Sequence, residues 1–202
     1  MHIVYTGEET PTVVTKSIFL AGPSPRNSTS PNWRPEVFKL LEDMGYNGVV
    51  YAPIYKDQNK YDNGATFDYE SQVDWEARCL NQADCIVFWV PRDIKGGAPA
   101  FTTNVEFGFW ATSGKVVFGA PPKADKNTYL KNLAGKEGIP VFDTLDATLT
   151  EAVKRLGDGA ARTGGERDIP LHLWNKPEFQ TWLTAQKAVG NTLNGATVSW
   201  SF

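Results

Sequence analysis

The sequence predicts an α/β domain built on an open parallel sheet, and three observations carry that expectation. Short unbroken apolar runs, Ile18-Phe19-Leu20-Ala21 and Ile86-Val87-Phe88-Trp89-Val90, read as strands buried on both faces. Between such runs lie stretches of roughly ten residues with apolar side chains at helical spacing. Gly and Pro fall at the joints, as in Gly22-Pro23 and Gly96-Gly97. Strands that alternate with helices form βαβ units, which run parallel and need helices on both faces.

Taken in order, Ser17 to Ala21 is the first strand, closed by Gly22-Pro23. Trp33-Arg34-Pro35 opens a helix with Val37, Leu40, Leu41 and Met44 on one face; Pro35 suits its first turn and Gly45 its end. Val49 to Tyr51 is the second strand, and residues 54–69 form a polar, aromatic-rich loop. Glu70 to Gln82 is helical, and Cys85 to Val90 is the clearest strand. A helix over Thr103 to Ser113, a strand over Lys115 to Gly119, a helix over Asn127 to Lys136 and a strand at Val141-Phe142 follow. Thr144 to Leu156 is the last helix, with Leu145, Leu149, Val153 and Leu156 apolar. Right-handed crossovers leave few topologies, of which a flavodoxin-like open five-stranded sheet is the simplest. Residues 1–156 form this domain and 157–168 a Gly-rich linker. Residues 169–202 form a short helix and strand extension, packed on the sheet or on a partner subunit.

Composition excludes several functions. The chain has 202 residues, with 20 Lys+Arg against 23 Asp+Glu and a net charge of −3, no footprint for a nucleic acid polymer or an anionic membrane. Its apolar runs are far too short to span a bilayer, and MHIVYTGEET has no signal-peptide pattern. Two Cys (Cys79, Cys85) and two His (His2, His172) make no disulfide scaffold and leave little for a metal site. The expectation is an intracellular, cytoplasmic protein without a metal. Seven Trp are many for this length. Core packing accounts for most of them, but Trp33, Trp75, Trp89 and Trp110 lie near the polar motifs and offer flat walls to a planar ligand.

Open parallel sheets bind ligands beyond the carboxyl ends of their strands. Glu106, in Thr102-Thr103-Asn104-Val105-Glu106-Phe107-Gly108, stands near a helix start there. Thr103 and Glu106 suit a capping box. Alternatively Glu106 is a carboxylate held against a ligand, ionised by the helix field and able to attack an anomeric carbon. Glu76 falls inside the apolar stripe Val73, Ala77, Leu80, where desolvation raises a carboxyl pKa and suits a proton donor to a departing base. The alternative is a buried ion pair with Arg78, Arg34 or Arg92. Asp74, on the solvent side of that turn, reads as a helix-start charge and joins the candidate substrate contacts. Gly22, Pro23, Ser24 and Arg26 form a loop able to hold hydroxyls or a phosphate, with Arg92 and Asn104 on the neighbouring loop.

Phe19-Leu20-Ala21-Gly22-Pro23, then Trp75-Glu76 with Ala83-Asp84, then Thr103-Asn104-Val105-Glu106-Phe107-Gly108 together resemble the nucleoside 2-deoxyribosyltransferase family, in its deoxyribosyltransferase-like branch. The resemblance spans residues 17–156. It implies a flavodoxin-like fold, a homodimer or larger homo-oligomer, no cofactor, and transfer of 2-deoxyribose between bases through a covalent ester with retention. It places Glu106 as the nucleophile and Glu76 as the carboxylate facing the base, where the family more often has Asp. Phe19 stands where many members have Tyr, and Ala100 where they tend to have Asp, with Asp93 or Asn104 as the available substitutes. Two other functions fit the same residues. One is hydrolysis of deoxynucleoside 5′-monophosphates, with Ser24, Arg26 and Arg92 on the phosphate; the other is a non-catalytic nucleotide-binding module.

Overall fold

A computed structural model describes residues 1–11, 16–26, 31–57, 60, 69–157, 165–168, 177, 181–182, 184–185, 192–194 and 197–200. Its centre is a six-stranded parallel sheet of order β1-β3-β2-β4-β5-β6. The strands are β1 (His2–Tyr5), β2 (Ser17–Ala21), β3 (Val49–Ala52), β4 (Cys85–Trp89), β5 (Val116–Gly119) and β6 (Val141–Phe142). The helices are α1 (Arg34–Asp43), α2 (Tyr69–Gln82), α3 (Phe101–Trp110), α4 (Thr128–Lys136) and α5 (Leu145–Leu156). The sheet is open, parallel and α/β as expected, with one strand more than the five read from the sequence. The addition is β1, an edge strand in which only Val4 is buried and whose short Ile3-Val4-Tyr5 run the sequence reading passes over.

Side chains alternate across the sheet and divide the core in two. On one face Phe19, Ala21, Ile86, Phe88, Val90 and Phe118 meet Trp75, Cys79 and Leu80 of α2, Phe107 and Trp110 of α3, and Leu130 and Ala134 of α4. On the other, Ile18, Leu20, Val87, Trp89 and Val117 meet Val37 and Leu41 of α1 and Leu145, Leu149, Ala152 and Leu156 of α5. Phe107 packs edge-on against both Phe88 and Phe118, with ring centroids 5.1 Å apart in each pair, an arrangement that fixes α3 on the sheet.

Two local devices set element ends. Asp84, just past α2, accepts hydrogen bonds from the Ser17 amide and hydroxyl at 3.0 Å each and so stitches the start of β2 to the end of α2. Thr144 caps α5, its Oγ1 accepting from the Ala147 amide at 3.2 Å. Cys79 and Cys85 are buried free thiols in the core.

Toward the C-terminus, β7 (Gly165–Asp168), β8 (Thr192–Asn194) and β9 (Thr197–Trp200) form a three-stranded antiparallel sheet of order β7-β9-β8. Residues 158–164, most of the 54–69 loop, and Phe179 and Leu183 of the expected last helix lie outside the described residues. Trp182 is described. It is buried in the same core as Trp110, and the buried Lys115 ammonium lies 5.3 Å from the Trp110 ring and 5.4 Å from that of Trp182. No helix among the described residues is long and apolar enough to cross a membrane.

Candidate active site

Leaving β1 aside, the order β3-β2-β4-β5-β6 reverses direction between β2 and β4. Successive loops there leave the sheet toward opposite faces, so a crevice opens at the carboxyl ends of those two strands. A cavity of about 330 Å³ occupies it, within the range of small-molecule sites. Its walls are the Ala21–Arg26 loop after β2, Pro53 after β3, the Ala98–Thr103 segment after β4, and Gln72, Val73 and Glu76 of α2; Glu106 reaches it from α3.

α3 begins at Phe101, two residues before the expected start, and its N-cap is Ala100 in the left-handed region (φ 53°, ψ 45°) with no side-chain cap. That position corrects the capping-box alternative: Thr103 is the third helical residue, and Glu106 lies in the second turn. The buried face Thr103, Phe107, Trp110 is seated on the sheet, and that seating aims Glu106 at the cavity. Nor does the helix field keep Glu106 in the ordinary carboxyl range. Burial pushes its pKa up to about 7, with the Glu76 charge adding to the rise and the Arg34 charge opposing it.

Glu76 is raised as well, chiefly by burial, against the lowering effects of Gln72 and Arg34. The Gln72 Nε2 donates to Glu76 Oε1 at 2.7 Å, one helical turn away. The stripe expected at Val73, Ala77 and Leu80 needs correction. The helix buries Trp75, Cys79 and Leu80, whereas Val73 is 44% exposed. Glu76 therefore lies on a face that turns to the cavity, not to the core.

Arg34 explains how two carboxylates coexist here. Its side chain is fully buried, stacks on the Trp33 ring at 4.6 Å and donates to the carbonyls of Leu20, Gly22 and Pro23. Of the three arginines considered as partners for Glu76, it is the one whose charge acts on both acids. It also holds the loop after β2 in place. Gly22 is needed there for two reasons. Its φ is +150°, and a Cβ would stand 2.1 Å from the Trp89 carbonyl oxygen.

The other expected contacts divide. Gly22, Pro23, Ser24, Arg26 and Thr103 line the cavity with Glu76 and Glu106. Ser24 Oγ donates to the Pro53 carbonyl at 3.2 Å. Phe19, Asp74, Trp33, Trp75, Trp89, Arg92 and Asn104 are not among the lining residues. Phe19 is fully buried in the sheet and Asp74 is exposed. Trp33 braces the loop, its Nε1 donating to the Pro23 carbonyl at 3.0 Å, and Trp89 packs beneath it on the α1 and α5 side. Trp75 donates to the Glu8 carbonyl at 2.8 Å, beside a separate hollow bordered by Gly7, Glu9 and Arg78. Arg92 donates to Asn104 Oδ1 and to the Lys126 carbonyl, which ties α3 to the loop before α4. Asp93 accepts from the Gly96 amide at 2.7 Å and does not replace an acid at Ala100. Sequence reasoning missed Gln72 and the Ala98–Thr102 wall. The i,i+4 relation of Gln72 to Glu76 was a legible signal for the first; nothing in the sequence announced an unusual backbone at Ala100.

Two carboxylates line one small cavity, each raised by burial, and the Glu76 charge adds to the rise at Glu106. Such a pair can divide the tasks of nucleophile and acid. Residues 15–124, the span from β2 through β5 that carries both glutamates, match the family model described as nucleoside 2-deoxyribosyltransferase like. No curated protein matches the chain.

Proposed function

Because the chain belongs to the nucleoside 2-deoxyribosyltransferase-like family, we propose that it moves 2-deoxyribose between nucleobases, with Glu106 as nucleophile and Glu76 as acid. The observation that carries this reading is the convergence of both glutamates on one cavity at the switch point of the sheet. A Glu106 carboxylate oxygen attacks the anomeric carbon while the carbon–nitrogen bond breaks. The bonding pair leaves with the base, and the Glu76 proton passes to it. An ester and a neutral free base result, with Glu76 now ionised. An incoming base then loses its proton to Glu76 and displaces the ester from the side the first base left, restoring both acids. Two inversions give net retention.

The test is chromatographic. Wild-type protein incubated with a deoxynucleoside and a different free base should yield a new deoxynucleoside. Glu106→Ala should lower that rate by at least about a thousandfold; exchange near the wild-type rate in the variant would sink the mechanism. Ser24 and Arg26 on the cavity wall favour a second reading, in which water is the acceptor and the substrate is a deoxynucleoside 5′-monophosphate. Base release without exchange, faster from the monophosphate, would establish it, and ligand binding without turnover would leave a binding module.

Assembly with a second copy is part of this reading. Phe101 and Val105 are one turn apart on α3 beside the cavity, 69% and 73% exposed. Light scattering should give at least a dimer, and Val105→Glu should shift it toward monomer.

A further inference from the structure

The reading above gives Glu76 the base but leaves open which bases the site prefers. Gln72 bears on that question. Its amide nitrogen is committed to Glu76 Oε1, and both residues line the cavity. Two consequences follow from donor and acceptor inventories. An oxygen that accepts the amide N–H is a poor place for a proton, so the acid form of Glu76 carries its proton on Oε2. The amide oxygen of Gln72, a residue of the cavity wall, makes no hydrogen bond to any described residue. Base and sugar thus meet a donor, Glu76 Oε2–H, next to an acceptor, Gln72 Oε1.

Resting on the role of Glu76 proposed above, we infer that Gln72 sets base selection, favouring bases with an amino group beside a ring nitrogen acceptor, as in adenine and cytosine. The ring nitrogen takes the proton from Glu76 Oε2, and the amino group donates to Gln72 Oε1. A base with an oxo group at that place sets acceptor against acceptor. Turning the Gln72 amide over would relieve the clash, but its oxygen would then face Glu76 Oε1 and draw the acid proton there, away from the base. Selection therefore appears in kcat as well as in KM.

The experiment compares deoxyadenosine with deoxyinosine and deoxycytidine with deoxyuridine, by base release and exchange, in the wild type, Gln72→Met and Gln72→Ala. Thermal unfolding of each variant checks folding. The wild type should prefer the amino member of each pair by about tenfold or more in kcat/KM, part of it in kcat. In the variants the ratio should approach one, mainly through loss on the amino member. Equal turnover within both pairs by the wild type, or an unchanged ratio in both folded variants, overturns the inference and leaves the transfer reading intact. If the wild type turns over none of the four, the transfer reading fails, and equilibrium binding of adenine against hypoxanthine and cytosine against uracil takes over the test. Amino preference that Gln72→Met abolishes then supports base selection; equal binding, or none, overturns it.

Discussion

At the scale of single residues the cavity is governed by the cost of desolvating acids. Glu106, lifted to about 7 from its ordinary 4.5, binds a proton more tightly folded than unfolded. Its contribution is therefore most favourable below about pH 4.5 and is lost as pH rises through 7. Glu106→Gln removes the titration. The variant should melt above the wild type at pH 8 by roughly a few °C and lose that advantage toward pH 5. Calorimetry across that range checks the sign, and a gap that widens toward acid would contradict burial as the cause. Ala100 is the second informative residue. A non-glycine in the left-handed region carries about 1–2 kcal/mol of strain. Ala100→Gly should melt at or slightly above the wild type, whereas Ala100→Val should melt several °C below it.

At the scale of elements, legibility in the sequence followed burial. The runs of β2 and β4 announced themselves because both of their faces are covered, and Pro35 marked a helix start by a mechanism that the structure repeats. β1 went unread although Ile3-Val4-Tyr5 is apolar, because a three-residue run at the sheet edge, with Val4 its one buried side chain, carries little periodicity. The start of α3 was misplaced for a different reason: Thr103 is a good N-cap by chemistry, but the backbone had already turned at Ala100, with no cap residue to show it. The two glutamates were visible as acids in odd places. What they face was not, because Val73 and Glu76 at helical spacing look alike whether the neighbour is a core or a cavity. Trp33 and Trp89 drew notice as aromatics near a site; Trp33 instead holds the Pro23 carbonyl of the Gly22 loop, and Trp89 packs in the core on the α1 and α5 side.

At the scale of the whole molecule, chemistry and anchorage lie at opposite ends of the sheet. The cavity is beyond the carboxyl ends of β2 and β4, whereas Lys115, between the rings of Trp110 and Trp182, stands just before the start of β5. Trp182→Ala should lower stability by about 3 kcal/mol, or roughly 6–12 °C in Tm, through lost burial. Exchange activity at 25 °C should stay within about twofold, because lost contacts at one end of a rigid parallel sheet leave the loops of the other unchanged. A collapse of activity in folded Trp182→Ala would mean that the extension reaches the cavity.

The edge position of β1 also decides how the chain can be cut. Cα positions 2–5 pair with Val49–Ala52, and every residue of that strand is buried. A fragment trimmed to residues 15–124 keeps both glutamates but strips this cover, leaving an apolar strand with a full row of unpaired amides and carbonyls along its length. It also removes α5, which shields β4 and β5. Such a fragment would recruit strands from its own copies and precipitate. The first five residues are thus part of what keeps the molecule from polymerising.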